Sequence, residues 1–197
     1  MGVRREQYRE QTRLELALAA FAQATAEGLA SVRIPRIAEA AGVSTRTFNN
    51  YFSSKEQAIA WLAERHAGGM VAALAERPDA EPIGTSLVEA VLSSYRPPQA
   101  GGLPPNFLRD FRALVASEPA LQAEYLRAMA AAERDLGDTI EKRVPSLGPL
   151  RAHVLAGVVT GAERAAVRYW MRNRTGRLAD TVREALGHAL AGWEQTS

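Results

Sequence analysis

The chain has 197 residues, enough for one large domain or for a small and a medium one, and its hydrophobic content of 47% can fill a packed core. It contains no cysteine, which excludes disulfides, thiolate metal sites and cysteine nucleophiles. The net charge of +2 is compatible with a nucleic-acid partner without requiring one, but the first 55 residues hold eight Arg and Lys against five Glu, so the positive charge is concentrated at one end.

The opening MGVRREQYREQ is charged throughout and lacks the apolar run of a signal peptide, and it reads as a flexible basic arm up to about Tyr8. No stretch of about 18–20 uninterrupted apolar residues occurs later, so no membrane span is expected and the protein is expected to be cytoplasmic. From there to Glu27, Leu14, Leu18 and Phe21 recur at helical spacing with Ala17 and Ala22 beside them, and Gly28 ends the helix. The stretch IPRIAEAAGVSTRTFNNYFSSKE, residues 34–56, then predicts two short helices, a tight turn and the start of a third helix. Pro35 sits in an opening turn, where its missing N–H costs nothing. Gly42 stands where a helix stops in the left-handed region, Val43 dips into the core, and Ser44 caps the second short helix. In that helix Phe48 and Phe52 fall on the buried side, which turns Thr45, Arg46, Thr47, Asn49, Asn50 and Tyr51 outward or along the flanks. Such side chains suit DNA: Arg forks onto guanine, Asn pairs with adenine, and Thr and Tyr hydroxyls reach phosphates. Ser53 to Glu56 reads as an S-x-x-E capping box, with Lys55 near the first turn of the third helix.

Helix, Gly-containing turn, helix is the helix-turn-helix pattern, whose second helix enters the major groove. The segment IAEAAGVSTRTFNNYFSSKEQAI, residues 37–59, resembles the DNA-binding domain of the TetR family of bacterial transcriptional regulators, whose usual pattern is close to IAxxAGVSxxTxYxxFxSKExL. Two positions depart from it. Asn49 stands where the family usually places an aromatic residue on the phosphate backbone, and Arg33 stands where a Thr commonly caps, offering a charge-assisted phosphate contact instead. The resemblance implies a DNA-binding head over residues 1–53, with Arg33, Thr45, Arg46, Thr47, Asn49, Asn50, Tyr51 and Lys55 facing DNA, and an effector-binding and dimerisation domain over residues 54–197. Arg46 and Asn50 are the expected base readers, and Lys55 and Arg33 the expected phosphate contacts.

Beyond the head, a longer helix reaches to about Arg77, with Gly68-Gly69 expected to loosen its middle, and a further one runs from about Thr85 to Tyr95. RPPQAGGLPP, residues 96–105, is the clearest loop. Asn106 is expected to cap a short helix containing Phe107, Phe111, Leu114 and Val115, and Ser117-Glu118-Pro119 to open a helix to about Arg143 with Leu121, Tyr125, Met129, Leu136 and Ile140 inward. Two final helices are expected at about 150–173 and 178–193. No segment alternates with period two for long, so the fold is expected to be all-α, with about nine helices.

The three histidines fit no metal-binding pattern, and no P-loop, dinucleotide or nucleophile-elbow motif occurs, so no catalytic residue, cofactor or metal is expected. The family resemblance implies a homodimer built from the last two helices. Two features of the residues agree with it: a small-residue strip including Gly157, Gly161 and Ala165, and an apolar face of Leu186, Leu190 and Trp193, although small residues serve packing within one chain equally well. The segment FLRDFRALVASEPALQAEYLRAMAAAERDL is similar to the C-terminal domain of regulators that sense acyl-coenzyme A thioesters. That implies a hydrophobic or acyl-type effector, with Tyr95, Phe107, Phe111, Leu114, Tyr125, Met129, Arg164 and Trp170 as lining residues; the same spacing also fits plain core packing. The expected partners are double-stranded DNA with a near-palindromic operator, a small-molecule effector and a second copy of the chain, acting as a repressor released by that effector. An all-α enzyme and a helical interaction protein without DNA remain the rival readings, and retention on specific DNA without turnover separates them from a regulator.

Overall fold

The computed structural model describes residues 2–95, 103–104 and 107–191. Most of the loop at 96–105, the Asn106 cap and Trp193 of the expected dimer face lie outside these. Among the described residues the secondary structure is entirely helical: α1 (Gly2–Glu27), α2 (Ile34–Ala40), α3 (Thr45–Tyr51), α4 (Lys55–Ala75), α5 (Ile83–Ser93), α6 (Phe107–Ser117), α7 (Pro119–Arg143), α8 (Pro149–Asn173) and α9 (Leu178–Leu190), with 3-10 turns at Leu29–Ser31 and Pro145–Leu147. None of these helices is long and apolar enough to cross a membrane.

The helices form two compact units, each fed by discontinuous stretches of chain. The first takes residues up to Arg65 and the stretch Leu103–Met129; the second begins at His66 and resumes at Ala130, so α4 and α7 contribute to both. The boundary expected at residues 53 and 54 therefore does not coincide with a break between compact units.

In the first unit, Leu16, Ala17 and Phe21 of α1 pack with Ile37 of α2, Phe48 of α3, Phe52, and Ile59 and Leu62 of α4. Phe107, Phe111 and Leu121 join the same core. Each large side chain removed from water here contributes about 1.5–3 kcal/mol, which is how helices of seven residues, too short to persist alone, are held in place. The expected basic arm is instead the first turns of α1. Its run of Arg, Glu and Gln has good helix propensity and no breaker, and residues 4–11 are exposed along it. Likewise Gly68-Gly69 does not interrupt α4; both glycines are exposed, and the helix continues past them to the buried Met70 and Leu74.

The second unit gathers Met70 and Leu74 with Leu87 and Val91 of α5, Leu136 and Ile140 of α7, Leu155 and Val159 of α8, and Val182, Leu186 and Leu190 of α9. The turn after α4 is stitched by two arginines. Arg77 donates through Nε to Glu81 at 2.7 Å, and Glu81 also accepts from the Ser86 hydroxyl at 2.7 Å. Arg143, at the end of α7, donates to the carbonyls of Arg77, at 2.9 Å, and Pro78. Its side chain is nearly buried, and the carbonyls of the first turn after α4 satisfy it.

Candidate functional site

The DNA-facing region begins with a helix stop. Gly42 has φ of 67°, in the left-handed region, and its N–H reaches Glu39 O at 3.0 Å while that of Val43 reaches Ala38 O at 2.9 Å. These two bonds are the Schellman pair, so the chain leaves α2 in a fixed direction and Val43 turns into the core. Ser44 then caps α3: its Oγ accepts from Thr47 N at 3.1 Å and meets the Thr47 hydroxyl at 2.9 Å. Phe48 and Phe52 are fully buried with ring centroids 5.8 Å apart, and Phe52 stands edge-on to Trp61 at 6.1 Å. Arg13 of α1 lies over both rings, 4.7 Å from Trp61 and 5.5 Å from Phe52.

That anchoring leaves Thr45, Arg46, Asn49 and Asn50 exposed on one short helix, with Thr47 and Tyr51 half-buried on its flanks. Among the described residues Arg46 has no ion-pair partner. The two expected phosphate contacts also make hydrogen bonds within the chain. Lys55 Nζ donates to the carbonyls of Leu29 at 2.6 Å and Val32 at 3.1 Å, and Arg33 Nη1 donates to Ala30 O at 2.6 Å and Val32 O at 3.1 Å. Both cations thus satisfy carbonyls of the 3-10 turn that leads into α2. Arg33 is the N-cap residue of α2 and supplies no side-chain cap. It is exposed, and its guanidinium keeps further N–H groups for an outside acceptor. Arg36 and Glu27 form a bidentate pair, both bonds 2.7 Å, tying the end of α1 to α2. The arginine's hydrogen bonds hold the Glu27 carboxyl below its ordinary range.

The capping box at the start of α4 is shifted by one residue from the sequence reading. Ser54 Oγ accepts from Gln57 N at 3.0 Å, and Gln57 Oε1 accepts from Ser53 N at 2.6 Å. Both Ser53-x-x-Glu56 and Ser54-x-x-Gln57 satisfy the pattern, and α4 starts at Lys55. Similarly Glu118, not Ser117, directly precedes α7; Ser117 donates to Leu114 O and ends α6.

The eight residues expected to line an effector pocket divide between the units. Phe107, Phe111, Leu114, Tyr125 and Met129 belong to the first; Tyr95, Arg164 and Trp170 belong to the second. Phe107 and Phe111 are 4% exposed, and their rings pack on Phe21 at 5.0 and 6.4 Å and on each other at 5.2 Å. Leu114, Tyr125 and Met129 are half-buried. In the second unit the Tyr95 hydroxyl donates to Glu163 at 2.6 Å, with His66 edge-on at 5.8 Å. Trp170 Nε1 donates to Gly176 O at 3.1 Å, and Arg174 lies 5.9 Å from its ring, so this indole closes the turn after α8. Arg164 is half-buried. The second unit also holds a solvent-open groove of about 480 Å³ between α5 and α9, crossed by an Arg183–Glu89 ion pair at 3.2 Å; none of the eight residues lines it.

The residues of the expected dimer face differ in exposure. Leu186 and Leu190 are 0% and 4% exposed, because the apolar stripe of α9 is covered by α5 and α8 of the same chain. They are core residues within the chain, and Trp193 of the expected face lies outside the described residues. On α8, by contrast, Gly157 and Gly161 are half-exposed and Ala165 is exposed. The same helix exposes Leu150, Val154 and Tyr169, which sequence periodicity did not single out.

An all-helical chain with a capped, core-anchored recognition helix after a Gly turn is a helix-turn-helix DNA-binding transcriptional regulator. Residues 16–59 match the model of bacterial regulatory proteins of the tetR family, and residues 81–194 match the MftR C-terminal domain. The chain belongs to the TetR family. No sequence among curated proteins matches it. Solved structures share its fold. The fatty acid degradation regulator FadR from Bacillus halodurans is 19% identical over 92% of this chain and 95% of its own, with a TM-score of 0.57. SmeT, the repressor of the Stenotrophomonas maltophilia multidrug efflux pump SmeDEF, is 17% identical over 91% and 89%, with a TM-score of 0.56. A putative TetR-family regulator from Mesorhizobium loti is 17% identical over 93% and 97%, with a TM-score of 0.57.

Proposed function

We propose that the protein is a dimeric repressor that holds an operator through α3 and releases it when a hydrophobic or acyl-type molecule binds. The observation that carries the DNA half is α3 itself: a Ser44-capped helix whose apolar side is fixed by Phe48 and Phe52 and whose outer face presents Arg46, Asn49 and Asn50. Residues 1–53 act as the head and residues 54–197 as the sensing and pairing part.

The effector class is supported by the MftR C-terminal match over 81–194 and by the shared fold with a fatty acid degradation regulator. Leu114, Tyr125 and Met129, half-buried in the first unit, offer apolar surface to such a ligand. Pairing goes through α8, whose exposed Leu150, Val154 and Tyr169 accompany the small-residue strip of Gly157, Gly161 and Ala165.

Linkage supplies the test. An inducer must bind the DNA-free protein more tightly than the DNA-bound one, and operator DNA must weaken its binding by the same factor. Fatty acids, acyl-coenzyme A thioesters and aromatic hydrophobes are titrated against the protein–operator complex. Release by an acyl compound, with a matching loss of its affinity when DNA is present, is the expected result. If none of the panel releases DNA or raises the melting temperature of the free protein, the acyl reading is wrong.

A further inference from the structure

The second unit contains a cluster that neither DNA binding nor effector sensing uses. Asp138 and Glu141 lie one turn apart on α7, and His153 lies on α8, which returns beside α7 after the short turn at 144–148. One donor atom from each residue falls within 4.8 Å of the other two. His153 Nε2 stands 3.4 Å from Asp138 Oδ1. A charge-assisted hydrogen bond between these groups would close to about 2.7–2.9 Å.

The imidazole's position is built into the backbone of α7. Gly137 is buried beneath the ring, and a Cβ there would stand 2.1 Å from His153 Nδ1 and 2.6 Å from its Cε1. Only the absence of a side chain at 137 lets the ring lie against the helix, with Nδ1 the ring atom nearest to where a Cβ would stand and Nε2 toward Asp138. The site is nonetheless open to solvent, since the His153 and Asp138 side chains are 41% and 57% exposed, so an ion can enter.

We propose that Asp138, Glu141 and His153 bind a divalent first-row transition-metal ion, with Zn²⁺ as the working probe. An imidazole with two carboxylates is a borderline donor set, which disfavours Mg²⁺ and Ca²⁺, whose ligands are oxygens. Three protein donors leave a fourth position for water, as in open zinc sites. The bound ion clasps α7 to α8 across the turn between them and stabilises this unit by mass action. The sequence held no metal pattern because the third ligand arrives from the next helix.

The test uses the full-length, untagged protein freed of metal by chelator and then dialysed. Zn²⁺ is titrated calorimetrically and in competition with a chromophoric chelator. The wild-type chain is expected to bind one ion in the micromolar range and to melt at a higher temperature with it. His153→Gln and Asp138→Asn, both at exposed positions, should weaken binding at least tenfold while leaving the helical circular dichroism intact. Gly137→Val, which keeps all three ligands but displaces the ring, should weaken it as well. His188→Gln is the control and should change nothing. No Zn²⁺ binding by the wild-type chain, or binding that His153→Gln and Asp138→Asn leave unaltered, overturns the proposal. Should Gly137→Val fail to fold, the other two variants decide.

Discussion

Arg46 and Asn50 stand exposed on a helix that cannot roll, because Phe48 and Phe52 on its other side are packed against Ile37, Ile59 and Trp61. A side chain in that position can discriminate bases only if its backbone is fixed, and here it is. Arg46→Ala and Asn50→Ala are expected to cost about 1–3 kcal/mol each on the operator and to relax sequence preference at the contacted base pair. Titration against a panel of single-base operator variants checks this; unchanged affinity and unchanged preference would remove these residues from the readout. Lys55 is expected to behave differently from a phosphate contact. Its ammonium is half-buried on the carbonyls of Leu29 and Val32, so Lys55→Met should destabilise the head by about 1.5 kcal/mol, the worth of a charged hydrogen bond. The slope of operator affinity against salt should stay close to that of the wild type, whereas a lost phosphate contact lowers it by about one. Thermal unfolding together with a salt series separates the two roles. The sequence could not show this, because the partners of Lys55 lie 23 and 26 residues away and are backbone atoms, which leave no mark on residue identity.

Elements were readable wherever the signal is local. Gly42 and Ser44 act on neighbours within a few residues, so the stop of α2 and the cap of α3 are visible in composition alone. The start of α4 is equally local but ambiguous by one residue, since two overlapping S-x-x-E/Q frames compete and the bond from Gln57 N–H to Ser54 Oγ selects the second. For α9 the apolar period was correct, yet a period shows only that one face is covered, not by what; α5 and α8 of the same chain cover it. The turn between α4 and α5 draws only part of its strength from nearby residues, since Arg143 of α7 donates to the carbonyls of Arg77 and Pro78 from 66 and 65 residues away, a link that local sequence does not show. Arg77 and Ser86 hold the Glu81 carboxyl well below the ordinary carboxylate range, at about 2, with Arg77 the larger cause. A carboxyl whose folded pKa is depressed adds stability that is complete above its unfolded pKa and fades as pH falls toward the folded value. Glu81 therefore supports the second unit fully near neutrality, and its contribution is lost between about pH 4.5 and pH 2. Glu81→Gln should lower the melting temperature at pH 7 and flatten its fall over that acid window, which calorimetry across pH 2–7 reads directly; parallel acid limbs in variant and wild type would show that the pair contributes nothing to folding.

At the scale of the whole molecule, DNA recognition by one seven-residue helix is a small footprint, and pairing two copies is what turns it into a specific site. A two-fold dimer sets its recognition helices about 34–36 Å apart, or a multiple of that, and requires a near-palindromic operator. The proposed pairing face is on α8, where Leu150 and Tyr169 are 76% and 61% exposed although α8's opposite side is filled with Leu155, Val159 and Val167. Single exposed apolar residues are common on monomers, but here they share a helix with glycines that let another backbone come close. Gly161 gives a clean probe of that face. A Cβ placed there meets nothing within 4 Å, so the protomer itself has room for a side chain, and Gly161 has ordinary helical geometry. Gly161→Arg should accordingly keep its circular dichroism and stay within about 1 kcal/mol of the wild type's stability, since there is room for the side chain and Arg has a higher helix propensity than Gly. Against a partner helix the same side chain would collide and bring a charge into an apolar contact. The variant should run as a monomer by light scattering at micromolar concentration, where the wild type runs as a dimer. It should also bind a half-site as weakly as the wild type binds half of its operator, because the loss of pairing removes the second recognition helix without touching the first. A folded Gly161→Arg protein that remains dimeric and keeps full operator affinity would place the pairing surface elsewhere on the chain.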